Sequence, residues 1–150
     1  MNTGSNWLIA GGILSLVAAL AHLACILFGA AWFRFFGAPE PLIVAYEAGA
    51  MGLVWMTVAI AFLLALWAAY AFAGAGLIRR LPLLRTGLVV IAAIYLARGA
   101  LLFPSLAAAP YPRSGFDIWS SAIVLLYGLA YAVGTWLAWS RLKPAGTARA

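Results

Sequence analysis

Four long apolar runs, set apart by short polar segments, organise this chain. They extend from about Trp7 to about Ala30, within Leu42 to Ile78, from about Thr86 to Leu106 and from about Ile118 to Ser140. Inside each run apolar residues follow one another without the alternation of a half-buried strand. Each run meets the requirement of about 20 apolar residues for a helix that crosses a bilayer. The pattern predicts an all-α integral membrane protein, a four-transmembrane-helix bundle forming one domain over residues 1–150. Residues 141–150 form a short basic tail.

The connections hold the turn formers and most of the charge. "AAWFRFFGAPEP" (Ala30 to Pro41) mixes aromatic rings with one arginine and one glutamate, a composition suited to the headgroup region. Pro41 suits the first turn of the next helix. From there to Ile78 is more chain than one crossing needs. This segment therefore kinks near Gly49 and Gly52 or lays its first turns along the surface. "RRLPLLR" (Arg79 to Arg85) is the second connection, interrupted by Pro82 and anchored by its arginines. "SLAAAPYPRSGFD", rich in turn formers, is the third.

Composition narrows the class. Hydrophobic residues make up 67% of the chain and charged ones 8%, against roughly 25% charged in a soluble domain. So few charges cannot cover a soluble surface. The net charge of +6 does not point to nucleic acid, because the basic residues flank the apolar runs and make no basic face. The first partner is the lipid bilayer. Cys25 is the one cysteine, which excludes an intrachain disulfide, and His22 the one histidine, which excludes a bis-histidine haem within a protomer. Together they supply half a metal site's spacing with no second pair, so no metal is expected. No lysine lies in an apolar run to form a Schiff base, and no cofactor is expected. No lysine or arginine precedes Trp7, and the run after it is too long for a signal peptide. The first segment is expected to remain as a membrane helix.

Basic residues set the orientation. The second connection has Arg79, Arg80 and Arg85, and the tail Arg141, Lys143 and Arg149, with no acid in either. The first connection pairs Arg34 with Glu40, and the third pairs Arg113 with Asp117. The second connection and both termini are expected on the cytoplasmic side of the inner (plasma) membrane. The alanine- and arginine-rich composition fits a GC-rich bacterial genome.

With this orientation His22, Arg34, Glu40, Glu47, Arg98 and Asp117 all fall toward the outer side. Arg98 is the exceptional one. A charge within an apolar run costs at least about 2.5 kcal/mol at mid-membrane unless it is paired or solvated. It is expected to meet Glu47, Asp117 or both, with Tyr95, three residues earlier, completing the network. Ser15, Ala18, His22, Cys25 and Gly29 line one stripe of the first helix, and Tyr127, Tyr131 and Thr135 one stripe of the last. Both are expected to face inward. Trp7, Trp136 and Trp139 fit an inner aromatic belt, and Trp32, Trp55 and Trp119 an outer one.

The leading expectation is a protein that binds or transports a small anionic or amphipathic ligand. Its polar pocket would lie in the outer half, lined by Arg98, Glu47, His22, Asp117, Tyr95, Tyr127 and Tyr131. The ligand would be a small molecule or lipid, and a homodimer or larger membrane complex would complete the assembly. One alternative is a non-catalytic accessory or assembly subunit. The other is an intramembrane enzyme on a lipid-like substrate, for which no catalytic residue stands out. The four-span layout resembles that of several groups of small bacterial inner-membrane proteins, the DoxX-like ones among them. The resemblance is architectural, and no family motif falls on these residues.

Overall fold

A computed structural model describes residues 2–100 and 115–142, with side chains from residue 118 in the second stretch. The described residues form six helices and no strand: α1 (Thr3–Phe28), α2 (Ala30–Phe35), α3 (Glu40–Glu47), α4 (Gly52–Ala75), α5 (Leu84–Ala100) and α6 (Gly115–Ala138). Thr3–Phe28, Gly52–Ala75 and Ile118–Ala138 are long and apolar enough to cross a membrane. The third expected crossing, 86–106, is described to Ala100; its remainder, most of the third connection and residues 143–150 of the tail lie outside the described residues.

The long helices pack as a ring. α1 lies along α4, α5 lies along α6, contact of α1 with α6 joins the two pairs, and α4 against α5 closes the circle. Neighbours run antiparallel, so Asn2, the end of α4, the start of α5 and the end of α6 gather at one end. There Ser5 Oγ donates to the Ala75 carbonyl at 3.4 Å and Arg141 Nη2 to Asn2 Oδ1 at 2.7 Å. Leu8, Leu88 and Tyr131 are fully buried at the centre. Leu27, Phe62 and Leu126 are among the many large apolar side chains left on the perimeter. In water this would be a liability; around membrane-spanning helices it is the lipid-facing surface. All six tryptophans assigned to belts are exposed, three near each end of the bundle.

The second apolar run is two helices rather than one. Gly49 adopts a left-handed φ of 91° just after α3, which ends the helix and turns the chain before α4 begins at Gly52. Gly29 (φ 76°) does the same between α1 and α2. The short helices α2 and α3 therefore cap the end of the bundle opposite Asn2. They hold to it through a second small core of Cys25, Phe33, Ile43 and Leu53.

α5 and α6 approach until backbone meets backbone. A Cβ placed on Gly99 would stand 2.6 Å from Leu125 Cα, and one on Gly128 would stand 2.8 Å from the Leu96 nitrogen. Small residues of this kind bring membrane helices close enough for dispersion to hold them. Gly99→Ala is expected to destabilise the bundle by about 1–3 kcal/mol in detergent unfolding, despite alanine's better helix propensity. Gly52→Ala, where a Cβ meets open space, should stay within about 0.5 kcal/mol of the parent. Equal effects at the two positions would count against the close crossing.

Candidate functional site

Four elements meet at a buried chain of hydroxyls. Ser15 Oγ of α1 lies 2.9 Å from Tyr95 Oη of α5 and 3.0 Å from Tyr131 Oη of α6. Tyr131 Oη also lies 3.0 Å from the Trp67 carbonyl of α4. A carbonyl can only accept, so the single Tyr131 proton goes to Trp67. Ser15 must then donate to Tyr131, and Tyr95 to Ser15. The protons run one way: Tyr95 to Ser15 to Tyr131 to the Trp67 carbonyl. Ser15 and Tyr131 have no exposed surface, and Tyr95 is buried. The Tyr95 ring packs edge-on against Trp67 (centroids 4.8 Å apart) and Tyr127 (5.5 Å), and tilted against Tyr131 (5.5 Å). Tyr95, Tyr127 and Tyr131 are thus brought together; of the expected stripes Ser15, Cys25, Tyr127, Tyr131 and Thr135 are buried, and Ala18, His22 and Gly29 half-buried. The rings fill the middle of the bundle. Ser15 stands about 18 Å along α1 from Thr3.

The charged members of the expected site lie elsewhere. Glu47 pairs with Arg34, not with Arg98. Arg34 forks between two carboxylates, with Nη1 and Nη2 at 3.1 and 3.0 Å from Glu47 and Nε and Nη2 at 3.1 and 2.9 Å from Glu40. The reason is proximity: the turn at Gly49 leaves Glu47 at the end of the cap helix α3, beside α2, rather than within a continuous span. Both carboxylates, Glu47 foremost, push the Arg34 pKa above its already high value. Arg98 is exposed on the bundle's side, and its Nη1 donates to Ser121 Oγ of α6 at 2.9 Å. Tyr95 and Arg98 diverge, the first inward and the second outward, so Tyr95 completes the hydroxyl chain instead of an Arg98 network. Asp117 lies one helical turn before Ser121; its side chain is outside the described residues. His22 is half-buried, and its Nδ1 donates to the Ala18 carbonyl of its own helix at 2.8 Å. That bond places a proton on Nδ1. Among the described residues no group of three or more His, Cys, Asp or Glu could hold a metal.

The end of the bundle near Asn2 is rich in arginine. Arg85 Nη2 donates to the Trp139 carbonyl, and its guanidinium lies 4.4 Å from the Trp139 ring centroid. Arg141 holds Asn2 and, at 3.3 Å, Ser5 Oγ; Arg80 Nη2 donates to the Arg141 carbonyl at 2.9 Å. Asn2 in turn caps α1, accepting from the Ser5 amide at 3.2 Å.

No family model, no curated protein and no solved structure matches the chain. Three groups central to it carried weak signals. Trp67 is the one tryptophan not placed in a belt, and its position within a span is the clue to an interior role. Ser121 and Asn2 are short polar residues with no pattern around them. Chemically, the hydroxyl chain holds helices together. Among the described residues it has no base beside it, and its last proton ends on a carbonyl that passes none onward.

Because Ser15 and Tyr131 belong to one chain, their losses should not add. Ser15→Ala and Tyr131→Phe are each expected to cost about 1–2 kcal/mol in detergent unfolding. The double variant should cost less than the sum by about 0.5 kcal/mol or more. Strict additivity would show that the two hydroxyls act independently.

Proposed function

We propose that this is a four-span protein of the bacterial inner membrane, with both termini cytoplasmic, and that it is a non-catalytic subunit of a larger membrane assembly. The observation that carries this reading is the committed hydroxyl chain. Its protons are directed toward a backbone carbonyl and its rings fill the centre, which suits a rigid scaffold better than a reaction chamber or a path. The dispersal of the charged residues supports it further, since Glu47, His22 and Arg98 each have partners of their own. Such a bundle works through its perimeter and its two ends. The nearness of Asn2 to Arg141 supports an even number of crossings, and the arginines at that end support its cytoplasmic placement.

A second reading, binding of a small anionic or amphipathic molecule at the outer end, is favoured by Arg98. Among the described side chains Arg98 meets a neutral serine at a helix–helix seam, and a guanidinium there is suited to an acidic group. Purification in mild detergent separates the two readings. The subunit reading expects a stoichiometric protein partner that is retained in Arg98→Gln. The binding reading expects the chain to purify alone and to take up a fatty-acid probe about tenfold less tightly in Arg98→Gln. Protein that purifies alone and shows no Arg98-dependent uptake would defeat both. Independently, alkaline phosphatase fused after Pro39 should be active in the periplasm, and fused after Leu81 inactive. The reverse pattern would overturn the orientation.

A further inference from the structure

One face of α1 carries an order that lipid does not require. Asn6, Ile9, Ile13, Leu16, Leu20, Leu23 and Leu27 follow one another at alternating intervals of three and four. This is a heptad seam, with Asn6, Ile13, Leu20 and Leu27 at its a positions and Ile9, Leu16 and Leu23 at its d positions. The seam stands outside the bundle: Ile13 is 51% exposed, Leu16 40%, Leu20 59%, Leu23 41% and Leu27 81%. α1 meets α4 and α6 through other residues, Gly4 and Gly11 against α6 and Gly12 against α4. From Asn6 to Leu27 the seam is about 32 Å long, close to the thickness of a bilayer's hydrocarbon. The exposed faces of α4 and α6 interrupt their aliphatic residues with Trp55, Phe62, Trp119 and Trp136; that of α1 keeps isoleucine and leucine at every seam position after Asn6.

Lipid asks only that such a face be apolar, so two further features decide what covers it. The first is Asn6. It is exposed, and its side-chain amide has no hydrogen-bond partner among the described residues. An asparagine at a single a position sets the register of a helix pair, and amides hydrogen-bond across helices within membranes. The second is area. At the exposures above, the five aliphatic side chains present roughly 500 Å² per copy, so two copies in contact would cover roughly 1,000 Å², the size from which an interface is specific.

We infer that the chain forms a two-fold dimer through this seam of α1. All copies of a membrane protein insert the same way, so the α1 helices of two copies run parallel. A parallel two-fold pair sets each a and d residue against its counterpart at the same depth. Asn6 then meets Asn6 of the second copy, and each amide finds both a donor and an acceptor. A strict heptad gives the pair a left-handed crossing of about 20°. Such a dimer leaves both ends of the bundle open, goes beyond the scaffold role, and is compatible with either function proposed above.

The test is cysteine cross-linking of the full chain in native membranes with copper phenanthroline as oxidant. The parent, whose single cysteine is buried, serves as the blank. Ile13→Cys and Leu20→Cys are expected to give a disulfide-linked dimer, and Phe62→Cys and Leu126→Cys on the other exposed faces none. In mild detergent, dilution of fluorophore-labelled protein measures dissociation. The double variant Leu20→Ala, Leu27→Ala should weaken the dimer about tenfold and Asn6→Ala about threefold, with Phe62→Ala unchanged. The cysteine variants leave the core untouched, so the cross-linking result stands even where an alanine variant misfolds. A chain that stays monomeric, cross-links at Phe62→Cys or Leu126→Cys in place of the seam, a seam cysteine joined to a different protein, or an Asn6→Ala dimer as tight as the parent would each overturn the inference.

Discussion

The proton of Tyr131 can go to one place, the carbonyl of Trp67, and the arrangement of the bundle's centre follows from that. In a lipid-embedded interior a hydroxyl has no water to fall back on, so each must find a partner of the right kind. With Tyr131 committed as donor, Ser15 is its donor in turn, and Tyr95 completes the sequence. α1 and α5 stand at opposite corners of the ring, and a small serine opposite a long tyrosine lets them touch there. Each of the four long helices contributes one link. The ring of helices is therefore held by directional bonds at its core, where apolar packing alone would allow rotation or sliding of one helix on another.

Charge is sorted along the same axis. Two of the three acids and one arginine form a closed exposed group in the cap of α2 and α3. As an exposed group it adds little stability, but it ties α2 to both ends of α3 and leaves that cap without a free carboxylate. The other end is arginine without acid. Apolar helices between two such ends have their direction in the membrane set by a strong asymmetry of basic residues.

Much of the architecture was legible because the bilayer imposes one period and one length on the chain. Uninterrupted apolar runs could be placed to within a few residues of α1 and α6, whereas the second run holds both α3 and α4. The inward faces of Ser15 and of the tyrosines at 127 and 131 followed from helical spacing. What escaped was pairing. Nothing in one-dimensional order shows that Glu47 would be carried away from Arg98. That depends on the left-handed turn at Gly49, foreseen as a place of kinking but not as a full break that hands the glutamate to Arg34. Nor does spacing of three residues settle a shared face: Tyr95 and Arg98 are about 60° apart around α5, enough for one to enter the core and the other to leave it. Trp67 illustrates a third limit, since its role in the hydroxyl chain belongs to its main-chain oxygen, which every residue possesses.

The break at Gly49 also divides the molecule's cohesion. Cys25, Phe33, Ile43 and Leu53 form an apolar nucleus separate from the one around Leu8 and Tyr131. A region with its own nucleus and a short hinge opens and closes as a local cooperative unit, at lower free energy than global unfolding. The cap of α2 and α3 is thus built to exchange its amide protons on a schedule of its own, while the hydroxyl-locked remainder stays shut.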